Sequence, residues 1–194
     1  MNKWDKLYSE GENFKPLNEI YLNLLIAEIE KLAGKKPKNA IDLGCGTGDA
    51  LLKFAKHDLT VTGIDGSEVA VSMANKILHT NGYSASSVTV SDLETIAVEG
   101  TFDVILCKLV YAFIKNKENF LAGVRKMMTE NSVFVLMTPV LYKDRVYSLT
   151  DKPGIAVPFD DTFEILKKQF STVQIFNHEY FGNNGDTVTF LIKK

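Results

Sequence analysis

The stretch Ala40-Ile41-Asp42-Leu43-Gly44-Cys45-Gly46-Thr47-Gly48-Asp49 decides how the rest of the chain is read. A short apolar run broken by Asp42 leads straight into glycines at every second position. Glycine there lets the backbone turn sharply and come close to a ligand. Asp49 to Lys56 then reads as a helix, so the loop joins the end of a strand to the start of a helix. Ligands of open α/β sheets bind at such places, at the carboxyl ends of the strands.

Working outward, Thr60 to Ile64 reads as a buried strand and Ser67 to His79 as a helix with Ser67 at its N-cap. Asn81-Gly82 marks a stop. Val88 to Val90 and Phe102 to Cys107 read as strands, the second a near-continuous apolar run suited to a parallel sheet. Phe120, Val124, Met127 and Met128 share a helical face, and Val133 to Met137 is a strand that Pro139 should stop. Phe163, Leu166 and Phe170 mark a last helix after the loop-rich Asp144 to Pro158. Val173 to Phe176 and Thr187 to Ile192 read as a hairpin turning at Asn183-Asn184-Gly185-Asp186. Upstream, Leu17, Ile20, Tyr21, Leu24, Leu25, Ile29 and Leu32 recur at helical spacing up to Gly34. Met1 to Glu12 is polar and carries Trp4 and Tyr8. Alternating strands and helices predict a parallel α/β sheet with an antiparallel closing hairpin. We expect one domain over 1–194, with 1–33 as an N-terminal helical cap and 34–194 as the core.

The 194 residues are 45% hydrophobic and 24% charged, with a formal net charge of -2. That balance lacks the basic face of a nucleic-acid binder, and the lysines form only the short doublets Lys35-Lys36 and Lys167-Lys168. No apolar run approaches the ~18 residues that span a membrane. The polar N-terminus lacks the apolar stretch of a secretory signal. Cys45 and Cys107 make neither a CxxC pattern nor a disulfide framework, so the expected setting is reducing and cytoplasmic.

Two adenosine cofactors fit a strand–glycine loop–helix unit. Asp65, about 20 residues past the loop at the end of the next strand, could accept hydrogen bonds from a ribose. The dinucleotide fingerprint G-x-G-x-x-G seats a pyrophosphate on the helix N-terminus. Here the last glycine comes one place early, and Asp42 precedes the first. A carboxylate at that point opposes pyrophosphate but suits a ligand bearing an ammonium and a sulfonium. The charge logic favours S-adenosylmethionine over NAD.

At this point the chain resembles the class I S-adenosylmethionine-dependent methyltransferases. AIDLGCGTGDALLKFA (40–55) is similar to that family's first motif and VTGIDGSEVAVSMANK (61–76) to its second, with Asp65, Gly66 and Ser67 at the ribose end. VTVSDLETI (88–96) is similar to the third, with Asp92 and Leu93 where the family contacts adenine. TFDVILCKLVYAFI (101–114) resembles the fourth strand and its loop, and NFLAGVRKMMTENSVFVLMTP (119–139) the next helix and fifth strand. The resemblance implies a Rossmann-like three-layer sandwich around a seven-stranded sheet with the last strand antiparallel. It implies S-adenosyl-L-methionine as cofactor, held by Trp4, Tyr8, Asp42, Gly44, Cys45, Gly46, Gly48, Asp65, Gly66, Ser67, Asp92, Leu93 and Cys107, with no metal. In such enzymes an aromatic N-terminal segment closes over the cofactor, which gives Trp4 and Tyr8 their place.

Methyl transfer from a sulfonium is an in-line displacement that needs alignment and exclusion of water. Cys107, Lys108, Leu109, Val110 and Tyr111 follow the fourth strand and should face the methyl group. They lack the Asn/Asp-Pro-Pro-aromatic signature of enzymes that methylate base amino groups. Lys108 and Tyr111 are the polar catalytic candidates, with Tyr142 and Arg145 nearby; His57 and His79 read as surface residues and His178 as structural. If Cys45 and Cys107 end neighbouring strands, their thiols could meet near the cofactor. A small-molecule acceptor fits the aromatics and mixed charges around the site. The competing readings are a non-catalytic cofactor-binding module and, disfavoured by glycine spacing, a nicotinamide-dependent oxidoreductase.

Overall fold

The structure is a computed structural model that describes residues 2–12, 14–96, 98–147, 154–176 and 187–194. Helices α1 (Lys3–Ser9) and α2 (Glu19–Ala33) precede β1 (Asn39–Leu43), α3 (Asp49–Lys56), β2 (Thr60–Asp65), α4 (Glu68–Thr80) and β3 (Ser87–Val90). Then come β4 (Phe102–Lys108), α5 (Lys117–Lys126), β5 (Met128–Leu141), β6 (Val157–Pro158), α6 (Phe159–Gln169), β7 (Thr172–Ile175) and β8 (Thr187–Lys193). The sheet runs β3-β2-β1-β4-β5-β8-β7, and the two-residue β6 pairs beside the end of β5. β1 to β5 are mutually parallel, and β8 is antiparallel to both β5 and β7. The chain leaves β1 outward through β2 and β3 and returns to β4 on β1's other side. The carboxyl ends of β1 and β4 therefore flank a topological switch point, where α/β sheets open a crevice.

Strand alternation feeds two core layers. Ala40, Val104, Leu106, Val133 and Val135 face α2, α3 and α4, meeting Leu22, Leu25, Ile29, Leu51 and Phe54. Ile41, Leu43, Ile105, Phe134 and Leu136 face α5 and α6, meeting Phe120, Leu121, Val124 and Leu166. Side chains alternate across a strand, so parallel strands covered on both faces need apolar residues at every position. That explains why Phe102–Cys107 reads as an unbroken apolar run.

Several local readings change. α1 lies in the stretch read as polar with no helical pattern: seven residues are too few for a helical stripe, and a capping box carries it instead. The Asp5 backbone N–H donates to Asn2 Oδ1 at 2.8 Å and the Asn2 N–H to Asp5 Oδ2 at 3.0 Å. On α2, Ile20 and Leu24 are exposed, and the buried side is Tyr21, Leu22, Leu25, Ile29 and Ala33. Gly34 ends that helix in the left-handed conformation, as its position predicts. Met128 does not belong to α5 but opens β5 opposite Phe102. Pro139 does not stop β5. By that point β5 has passed the end of β4, whose last partner is Met137, so a missing donor costs less there than inside the ladder. The turn read at Asn183–Asp186 lies outside the described residues.

Candidate functional site

Three glycines shape the loop between β1 and α3. Gly44, Gly46 and Gly48 have φ of 81°, 52° and 87°, a region other residues enter at a cost. The N–H groups of Gly44 and Cys45 both donate to the Ile64 carbonyl, at 2.8 and 3.0 Å, which folds the loop back over the end of β2. The roles of the three then differ. A Cβ on Gly44 would lie 2.4 Å from Val110 Cγ2, and one on Gly46 2.9 Å from the Tyr8 hydroxyl. These two make the loop a cradle into which Val110 and Tyr8, both on the cavity wall, can close. A Cβ on Gly48 would press on Ala74 of α4 at 2.9 Å, so Gly48 serves the packing of α3 on α4.

The cradle opens into a cavity of about 560 Å³ at the switch point. Its wall includes Trp4, Tyr8, Gly44, Cys45, Gly46, Asp65, Gly66, Asp92, Leu93 and Lys108, all named from the sequence. Asp42, Gly48, Ser67, Cys107 and Tyr111 are not on that wall. Asp42 lies beneath it, 2% exposed, with Oδ1 lacking a hydrogen-bond partner among the described residues. Ser67 caps α4 by accepting from the Ala70 N–H, and its hydroxyl donates to Asp5 Oδ1 at 2.6 Å. Cys107 and Tyr111 belong to the core layer under α5, while Cys45 packs in the opposite layer with Leu51. The two thiols are thus divided by the sheet and do not meet: strand ends may be neighbours while their side chains take opposite faces.

Electrostatics make this an acidic pocket. Burial pushes the Asp42 carboxyl up to about 7, Lys108 pulls it back, and Asp65 and Asp49 push it further. Asp65 is raised by burial, against hydrogen bonds from the N–H groups of Gly46 and Ser67, both at 2.9 Å. Burial also raises the Cys45 thiol, with Asp42 and Asp65 adding to it, so Cys45 remains a neutral thiol. Burial lowers the Lys108 ammonium, with Asp42 and Asp49 opposing. A buried carboxylate oxygen without a donor, beside two more carboxylates, favours a cationic guest.

Asp92 is both a wall residue and a cap: its side chain accepts from the Glu94 N–H at 2.9 Å, starting a short 3-10 turn over Leu93–Thr95. Of the catalytic candidates, Lys108 gives Nζ donors to the Phe14 and Lys15 carbonyls, each at 3.0 Å. The Tyr111 hydroxyl is fully buried with no hydrogen-bond partner among the described residues, behind the cavity rather than in it. Tyr142 packs on Phe159, and Arg145 lies over Tyr147. His57 caps the end of α3, His79 is exposed, and His178 lies outside the described residues. The sequence reading missed Phe14, Asp49, Glu94 and Phe113 on the wall. Phe14 and Phe113 meet Trp4 edge-on, with centroids 5.9 and 4.9 Å apart. Only their shared aromatic character with Trp4 could have linked them, because they stand about a hundred residues apart.

Comparison with known proteins gives the constellation a family. The model of a methyltransferase domain matches residues 35–179. The ubiquinone biosynthesis O-methyltransferase of Vibrio parahaemolyticus is 36% identical over 106 residues, which is 54% of this chain and 43% of that protein. The ajmaline N-methyltransferase of Rauvolfia serpentina is 28% identical over 120 residues, 60% of this chain and 41% of that protein. The chain thus spans less than half the length of these two curated relatives. Among solved structures, the plantazolicin methyltransferase BpumL, in complex with a desmethyl analogue and S-adenosylhomocysteine, superposes with a TM-score of 0.71 at 18% identity. That alignment covers 99% of this chain and 90% of BpumL. With this sheet order, this glycine loop and a family match over residues 35–179, the chain belongs to the methyltransferase-domain family, within the class I S-adenosylmethionine-dependent methyltransferases.

Proposed function

We propose that this protein transfers the methyl group of S-adenosylmethionine to a small-molecule acceptor. The carrying observation is the acidic, aromatic-roofed cavity of about 560 Å³ at the switch point, within the usual range of ligand pockets. The loop backbone at Gly44 and Gly46 on the cavity wall, with the orphaned oxygen of the buried Asp42 just before it in the chain, fits the amino-acid end of the cofactor. Asp65 has lone pairs beyond those used by Gly46 and Ser67 and is the ribose partner in this reading. Asp92 and Leu93, with Val110 and Ile114 on the same cavity wall, make the adenine slot in this reading. Cys45 contributes its backbone to the cradle rather than its thiol.

The bound cofactor supplies an electrophilic methyl on a sulfonium, whose departure leaves a neutral thioether. This chain's residues then act by enclosure and alignment. Trp4, Tyr8, Phe14 and Phe113 shut out water and leave an apolar approach for the acceptor. Such positioning supplies several kcal/mol of rate acceleration; a hydroxyl or amine acceptor also gives up a proton to a base or to solvent as its new bond to carbon forms. The two curated relatives carry names for methylation at oxygen and at nitrogen, both on small molecules, which supports the acceptor class and leaves the atom open. Two buried free thiols fit a reducing, cytoplasmic setting. No helix among the described residues is long and apolar enough to cross a membrane.

A methyl-transfer screen with isotopically labelled donor tests the proposal. The expected result is label on at least one compound of a metabolite panel and none on bulk RNA or protein. Donor binding with no transfer to any small molecule would favour the non-catalytic module instead.

A further inference from the structure

The chain ahead of α2 crosses the mouth of the cavity as a strap with anchors on three elements. At its start, Asn2 Nδ2 donates to the Gly66 carbonyl at 2.8 Å, and Asp5 accepts from Ser67 at the head of α4. At its end, the Leu17 N–H donates to Asp49 Oδ2 at 2.8 Å, and Lys53 Nζ donates to the Leu17 carbonyl. Between these, Lys108 at the end of β4 holds the Phe14 and Lys15 carbonyls. The strap presents Trp4, Tyr8 and Phe14 to the cavity, so how it sits on its three anchors sets how far that side of the cavity is covered.

The backbone on both sides of the Lys108 contact is strained. Lys15, whose carbonyl is one acceptor, has φ of 43°, and Leu109, next to the donor, has φ of 63°. Non-glycine residues keep such conformations only where their surroundings enforce them, and they gather at clamps and switches. Leu109 is held by its N–H donating to the Met137 carbonyl at 2.8 Å. An ammonium has three donors, and two of these go to the strap. The same half-buried side chain also lies on the cavity wall, where it feels the charges of Asp42 and Asp49.

We propose that Lys108 is a positioning residue that latches the strap shut, so that strap closure and occupation of the cavity favour each other. This rests on the reading of the cavity as the methyl-donor site. Opening the strap takes two charge-assisted hydrogen bonds from Lys108, and filling the cavity restores the packing against which Trp4 and Phe14 close. Coupling of this kind is reciprocal: whatever loosens the strap weakens the ligand, and the ligand tightens the strap.

Trp4 is the only tryptophan of the chain and sits in the strap, so its fluorescence reports closure directly. The experiment compares emission and acrylamide quenching for wild type, Lys108→Met and Lys108→Arg, each free and with S-adenosylhomocysteine. In the free Lys108→Met protein, emission should shift to the red and quenching should rise several-fold, while Lys108→Arg, which keeps charge and donors, returns toward wild type. Affinity of Lys108→Met for S-adenosylhomocysteine should fall about tenfold, within the range of ordinary coupling between sites. Equal Trp4 quenching in the free wild type and Lys108→Met overturns the latch, whatever the affinities. Where Lys108→Met does not fold, Lys108→Gln carries the same comparison. If wild type itself does not bind S-adenosylhomocysteine, the donor reading fails, and the free-protein comparison still decides the latch.

Discussion

At Asp42 the demands of binding and of folding oppose each other. The carboxyl is buried, has an oxygen without a donor, and titrates near 7 against an ordinary value of 3.8. Its folded-state value lies above the unfolded one, so the native state holds more protons between those two pH values. Stability is full below about pH 4 and falls as pH rises towards about 7. Asp42→Asn removes that loss. The free variant should be more stable than wild type by roughly 2–4 kcal/mol at pH 8, with the gap closing towards pH 4. Denaturant unfolding across that range checks it. A gap independent of pH would mean that Asp42 is not the titrating group. In the proposed reading the unmet oxygen serves a cationic ligand, a trade of stability for binding seen at many functional sites.

At the scale of elements, the loops and caps around β1 and β2 set the site. Ser67 starts α4, orders the Asp65 loop and anchors the strap through Asp5, all without reaching the cavity. Ser67→Ala should lose about 0.5–2 kcal/mol of stability, as for other N-cap removals. It should also free the start of α1, seen as faster amide exchange over residues 3–9 than in β1. Unchanged exchange there would remove Ser67 as an anchor. These element-level features were unevenly legible. The strand–glycine loop–helix units of β1–α3 and β2–α4 are local, with caps and periodicity inside about 30 residues, and they read directly from the sequence. Helix α1 did not, because its two short turns are held by a cap and by a contact with a residue 64 positions away. Pro139 misled for the same reason: whether a strand tolerates proline depends on a neighbour's length, which no local window contains.

For the whole molecule, the fold places residues from five separate segments around one cavity. The donor-facing half was legible, since Gly44, Gly46, Asp65, Asp92 and Leu93 sit in local motifs and all reach the wall. The roof was only half legible. Trp4 and Tyr8 stood out as aromatics in a polar stretch, but Phe14, Phe113 and the Lys108 contact depend on how the chain crosses the switch point. Residue type alone also overreached, in drawing in Cys107, which the pleat of β4 turns to the other face, and Tyr111, which is buried in the core just past the end of β4. In the proposed reading this cavity takes a nucleoside that bears an amino acid and refuses a pyrophosphate. Calorimetric titration of the wild-type chain with S-adenosylhomocysteine and, in parallel, with NAD tests it most directly. The account predicts saturable one-to-one binding of S-adenosylhomocysteine and no heat with NAD; binding of NAD, or none of S-adenosylhomocysteine, would contradict it.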